Sequence, residues 1–182
     1  MRIISGRFRG KGIRAPKNLP VRPTTDMAKE SLFNILNNRI FFEDVTLLDL
    51  FCGIGSISLE FASRGCSDVT AVDSHGDTIR FLKKTIDELK IEGINVVRAD
   101  ALSYLRNSYG SYDVVFMDPP YEYPEYEEIV RLILDRGLLK EEGLLIVEHD
   151  RRQSFLDHPN FIEHRKYGGV EFSLLASAPS AE

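Results

Sequence analysis

Leu47-Leu48-Asp49-Leu50-Phe51-Cys52-Gly53-Ile54-Gly55-Ser56 runs an apolar segment straight into a glycine-rich turn. Leu47 to Phe51 has the short apolar character of a strand buried on both faces. Gly53 and Gly55 let the backbone turn tightly and approach a ligand closely, and a helix follows that ends at Gly65. Downstream the alternation repeats. Val69 to Val72 is a second strand closed by Asp73, and Ser74 with Asp77 has the spacing of a capping box for a helix whose Ile79, Leu82, Ile86 and Leu89 share one face. Asn95 to Arg98, Val114 to Met117 and Leu144 to Val147 complete five strands with helices between them. Phe161 to Lys166 and Val170 to Ala176, joined through Gly168-Gly169, form a terminal hairpin. The expected architecture is α/β, a doubly wound, mostly parallel Rossmann-like sheet.

In such sheets ligands sit beyond the carboxyl ends of the strands. Asp49, Asp73, Asp100 and Asp118 stand at or near four of those ends. Asp73 follows Gly55 by eighteen residues, a place from which an acid can accept both hydroxyls of a ribose. Asp100 can accept from an exocyclic amine and with Ala101 suits an adenine. The strand Val114 to Met117 ends in Asp118-Pro119-Pro120-Tyr121. The prolines donate no N–H and restrict the residues before them, so the strand stops there. A carboxylate, a stiff carbonyl at Pro119 and a flat ring at Tyr121 suit a planar molecule bearing an NH₂ group. A plain turn with a satisfied aspartate would look the same in isolation. A nicotinamide-binding half is disfavoured, because Ser58 stands where the third glycine of that fingerprint belongs.

Net charge is −5, but it is unevenly spread. Residues 1–22 carry seven of the 23 basic side chains and no acid, leaving sixteen basic against 28 acidic groups in the rest. Arg2, Arg7, Arg9, Lys11, Arg14 and Arg22 are the candidate contacts to a polyanion. Glycines at 6, 10 and 12 between Ile3, Ile4, Phe8 and Ile13 predict a small β-hairpin with one cationic face. The expected organisation is a basic arm and linker over 1–23, then a domain over 24–182 whose core begins with a helix capped by Thr24 or Thr25. Ala28, Leu32, Ile35 and Leu36 form the apolar face of that helix. Cys52 and Cys66 have no metal or redox spacing and the four histidines do not cluster, so no metal is expected. The cysteines read as reduced thiols of a cytoplasmic protein. No apolar run approaches the ~20 residues of a membrane span, and a monomer is expected.

Leu48-Asp49-Leu50-Phe51-Cys52-Gly53-Ile54-Gly55 resembles motif I of the class I S-adenosylmethionine-dependent methyltransferases, and Asp118-Pro119-Pro120-Tyr121 resembles the motif of those that methylate exocyclic amines. The opening Arg2 to Gly10, with Arg22-Pro23-Thr24-Thr25-Asp26 and Glu30 to Leu36, is similar to the bacterial 16S ribosomal RNA guanine-N2 methyltransferase family. That family usually has arginines where this chain has Met27 and Lys29. The resemblance implies a cofactor site at Thr24, Asp49, Phe51, Gly53, Gly55, Asp73, Ser74, Asp100 and Ala101, with S-adenosylhomocysteine as product. It implies catalysis at Asp118, Pro119, Pro120 and Tyr121, and 16S rRNA as partner, within the small subunit or an assembly intermediate. An adenine-N6 methyltransferase of DNA or RNA, a protein-glutamine methyltransferase and a non-catalytic RNA-binding module stay open as alternatives.

Overall fold

A computed structural model describes residues 1–20 and 24–177. Five helices and seven strands follow one another as α1 (Asp26–Leu36), β1 (Thr46–Leu50), α2 (Ser56–Ser63), β2 (Asp68–Asp73), α3 (Gly76–Leu89), β3 (Ile94–Arg98), α4 (Ala101–Asn107), β4 (Tyr112–Met117), α5 (Tyr126–Asp135), β5 (Leu139–His149), β6 (Phe161–Tyr167) and β7 (Val170–Ala176). The sheet order is β3-β2-β1-β4-β5-β7-β6. The first five strands are parallel, and the terminal hairpin enters antiparallel, with β7 beside β5. This is the doubly wound sheet expected from the alternation.

Period-2 alternation sorts the side chains onto two apolar faces. Leu48, Leu50, Val115, Met117, Leu145 and Val147 face α4 and α5. Leu47, Val114, Phe116, Leu144 and Ile146 face α1 and α2. Asp49 belongs to this second face by the same alternation, and Ser58 on α2 receives it. Thr25 caps α1 by accepting from the Ala28 N–H. The cap of α3 differs from expectation. His75, not Ser74, is the N-cap and accepts from the Thr78 N–H, and the carboxylate of Asp73 takes the His75 N–H at 2.8 Å. A strand-end aspartate pulls the helix start one residue along.

The arm is a small antiparallel hairpin, as expected: its Arg2–Gly12 bridge is flanked by the Ile3 N–H donating to the Lys11 carbonyl at 3.0 Å and the Ile13 N–H to the Met1 carbonyl at 2.9 Å. The core, however, does not begin at Thr24. Ile3 and Ile13 are buried with Leu59, Leu82 and Ile86. Below them lies a charged knot. Glu60 of α2 accepts the N–H groups of Ile4 and Ser5 at 2.8 and 3.0 Å and Nε of Arg64 at 3.0 Å. Lys29 of α1, its side chain wholly buried, donates to the Arg2 carbonyl at 2.6 Å and lies 3.4 Å from Glu60. Burial pulls the Lys29 ammonium below its ordinary range, against the opposing pull of Glu60. Ser63 adds a hydroxyl that accepts from the Phe8 N–H and donates to the Ser5 carbonyl.

Removing one partner of a buried ion pair leaves the other charge uncompensated, at a cost of about 3–5 kcal/mol. Glu60→Ala strands both Lys29 and Arg64 and frees two arm N–H groups. It should lower stability by about that amount in urea denaturation. A loss under about 1 kcal/mol, the scale of a surface pair, would show that the knot does not hold the arm.

Candidate active site

The carboxyl ends of β1 to β5 open into one cavity of about 450 Å³. It lies at the switch in strand order, where β1 has β2 on one side and β4 on the other. Asp49, Phe51, Gly53, Asp73, Ser74, Asp100 and Ala101 line its β1–β3 side, and Asp118, Pro119, Pro120 and Tyr121 line its β4 side. Thr24 and Thr25 close it from the start of α1. Residues scattered over a hundred positions of chain therefore share one chamber.

The β1–β3 side is built from backbone turns stiffened by carboxylates. Phe51 adopts a left-handed φ of 60°, a conformation uncommon for a bulky residue, and its ring meets Tyr123 edge-on at 5.0 Å. Gly53 follows at φ 54° and donates its N–H to Asp73 at 2.9 Å. Asp73 thus holds the glycine turn with one oxygen and the α3 cap with the other. Asp100 caps α4 by accepting from the Ser103 N–H at 2.9 Å while its residue faces the cavity. Gly55 stands outside the lining. A Cβ there would lie 2.4 Å from Leu82 Cδ1, and its φ of 83° starts α2. Turn geometry and the approach of Leu82 both favour glycine there.

Asp49 is almost wholly buried, and its Oδ2 accepts from the N–H and hydroxyl of Ser58 at 3.1 and 2.5 Å. Burial outweighs those bonds and, with help from Asp73 and Glu148, pushes its carboxyl up to about 7. Its Oδ1 and the hydroxyl of Ser56 are buried polar atoms without a hydrogen-bond partner among the described residues, and both residues line the cavity. Such atoms usually await a ligand or water. Cys52 lines the cavity too, and burial holds its thiol well above the ordinary value.

On the β4 side the guanidinium of Arg152 lies 5.7 Å from the centre of the Tyr121 ring and is held by Asp150 at 2.7 Å. Glu148, near the end of β5, was not among the residues singled out from sequence. It is 4% exposed, lines the cavity, and accepts from the Thr24 hydroxyl at 2.9 Å. Thr24 therefore spends its hydroxyl on the β5 side of the site. The rule that found the other acids, a carboxylate just past a buried strand, would have found Glu148 at the end of Leu144 to Val147. His75 and Tyr123 also line the cavity without having been singled out.

Arg2, Arg7, Arg9, Lys11 and Arg14 are exposed. Arg2 lies 3.8 Å from Asp26, directly after the two threonines that close the cavity. Arg22 lies outside the described residues. No described helix is long and apolar enough to cross a membrane.

The family described as Conserved hypothetical protein 95 matches residues 1–176. Ribosomal RNA small subunit methyltransferase D of Escherichia coli strain K12 is 34% identical over 91% of this chain and 83% of its own. The protein of the same name from Buchnera aphidicola of Baizongia pistaciae is 30% identical over 96% and 90%. The solved structure of the Escherichia coli protein yhhF superimposes with a TM-score of 0.85 at 31% identity, over 99% of each chain. On this agreement of motif, topology and sequence over nearly its whole length, the chain belongs to the family of the bacterial ribosomal RNA small subunit methyltransferase D proteins.

Proposed function

We propose that this chain transfers a methyl group from S-adenosylmethionine to the exocyclic N2 of a guanine in small-subunit rRNA. The observation that carries the reading is the meeting, in one cavity, of a ribose- and adenine-matching set (Asp73, Asp100, Ala101) with Asp118-Pro119-Pro120-Tyr121. The names of the relatives support the ribosomal substrate.

The residues present fit the cofactor. Asp49 offers an acceptor suited to an ammonium and Ser56 a hydroxyl suited to a carboxylate, and both atoms are buried without another partner among the described residues. The amino-acid end of S-adenosylmethionine carries both groups. When bound, the cofactor supplies a sulfonium methyl that is already an activated electrophile. The protein's task is then alignment of the nucleophile at ~3–3.5 Å.

Guanine N2 is a weak nucleophile because its lone pair is delocalised into the ring. The Asp118 carboxylate and the Pro119 carbonyl each accept one of its hydrogens. That favours a pyramidal nitrogen with its lone pair presented, and it stabilises the positive charge that develops there. Tyr121 holds the base by stacking, worth ~1–3 kcal/mol. Because the cavity is recessed at the strand ends, the base must be unpaired or extruded to enter. The exposed cations of the arm hold the surrounding RNA backbone.

The reading is tested by tritiated methyl transfer to small-subunit particles lacking the modification, followed by nucleoside analysis. N2-methylguanosine is the expected product, and N6-methyladenosine would transfer the assignment to adenine. For the arm, Ile3 and Ile13 belong to the core, so charge substitution is a cleaner test than deletion. Changing Arg7, Arg9, Lys11 and Arg14 together to glutamine should leave S-adenosylmethionine affinity unchanged. Each lost phosphate contact should flatten the log–log salt dependence of substrate binding by ~0.7–0.9. Equal slopes for the variant and the parent would place the RNA clamp on the body.

A further inference from the structure

We propose that Glu148 is the residue that selects guanine, accepting the N1–H of the target base while Asp118 and the Pro119 carbonyl hold its N2 amine. The inference rests on the guanine-N2 reading and deepens it. β4 and β5 are parallel neighbours with Met117 opposite Val147, so Asp118 lies beside Glu148 one step further along. Neighbouring strands are ~4.8 Å apart. Alternation gives the two residues the same face of the sheet, the one already carrying Phe116 and Ile146. Both line the cavity. Tyr126 fixes the strand end by donating its hydroxyl to the Glu148 carbonyl at 2.9 Å. Its phenol is held above the ordinary range by burial first and then by the charges of Asp118 and Glu148. The strand order separates this pair from the ribose- and adenine-matching carboxylates, Asp73 at the end of β2 and Asp100 past β3 on the far side of β1, while Asp49 lies on β1 between the two sets.

Two carboxylates and a carbonyl at one rim match a ligand edge made of donors. The Watson–Crick edge of guanine supplies N1–H and the two hydrogens of N2, three donors in a row. Adenine and cytosine supply an amine beside a ring nitrogen that is an acceptor, and an acceptor facing a buried carboxylate leaves both lone pairs unpaired. Glu148 thereby rejects the wrong amine-bearing bases without touching the reacting nitrogen. Thr24 is its positioning partner. The hydroxyl that donates to Oε2 orients the carboxylate from the start of α1, the helix to which Lys29 ties the arm.

The test is the full-length protein and its Glu148→Gln variant on small-subunit RNA with either guanosine or 2-aminopurine riboside at the methylated position. 2-Aminopurine keeps the exocyclic amine but presents an acceptor at N1. In the variant the Thr24 hydroxyl holds the amide oxygen and leaves the NH₂ to face the base. Parent protein should prefer guanosine by about 10- to 100-fold in kcat/KM, the scale of one base-edge contact, and the variant should reduce that preference at least about tenfold. Its S-adenosylmethionine affinity, read by calorimetry, should match the parent's. An unchanged preference overturns the proposal, as does loss of both reactions in a variant that still binds cofactor and RNA. A parent product other than N2-methylguanosine fails the functional reading itself, and that is established first, on guanosine substrate alone.

Discussion

A parallel strand buried on both faces can carry a carboxylate cheaply only where it runs out of sheet, and the whole site follows from that constraint. Val114 to Met117 and Leu144 to Val147 are apolar on both sides because helices cover both sides. Charge is deferred to the strand ends: Asp118 and Asp100 lie past β4 and β3, Asp73 is the last residue of β2, and Glu148 is the last but one of β5. Because β1 to β5 are parallel, all those ends point one way and meet around one cavity. Asp49, like Glu148, is the last residue but one of its strand. It needs Ser58 across the layer, and burial still pushes its carboxyl up to about 7. On the proposed reading that acid serves the ammonium of the cofactor.

The arm is governed by the opposite arrangement, in which charge goes inside to hold a loop that has little sheet of its own. With a single bridged pair, residues 1–13 have few ladder bonds to satisfy their N–H groups. Glu60 and Ser63 of α2 take up those of Ile4, Ser5 and Phe8. Lys29 balances Glu60 and caps the Arg2 carbonyl. The cations at the surface are thereby set on a frame whose inner side is core, and that frame shares α2 with the glycine turn at the cavity. Arm and site are parts of one packed structure, so the basic charge has a fixed position relative to the chemistry.

Where side-chain chemistry repeats along the chain, the sequence was sufficient. The five parallel strands, the hairpin after them, Asp118-Pro119-Pro120-Tyr121 and the strand-end acids were all legible, because apolar runs and proline punctuation act locally. What was hidden depends on partners far away in sequence. Lys29 carries no local mark of burial and depends on Glu60 beside it, and Phe33, outside the apolar face read for α1, packs against Phe42 and Phe61. The packing of Leu82 against Gly55 is likewise invisible in the local sequence. Ser74 fits a capping box, but Asp73 claims the His75 N–H and the cap moves. Glu148 was hidden differently. Its signal was present, but the family pattern drew attention to the motif one strand away.

The central claim is that the acceptors at the end of β4 present an amine to an already activated methyl group, and Asp118→Asn examines it with little change of shape. The account predicts that methyl transfer at saturating substrate falls by about 10²–10³-fold, as when one preorganised polar group is lost from a transition state. S-adenosylmethionine affinity, measured by calorimetry on the same preparation, should stay within a few-fold of the parent protein, since Asp118 lies across β1 from Asp73 and Asp100. Retention of most of the turnover would contradict the account, and so would a fall in turnover fully explained by lost cofactor binding.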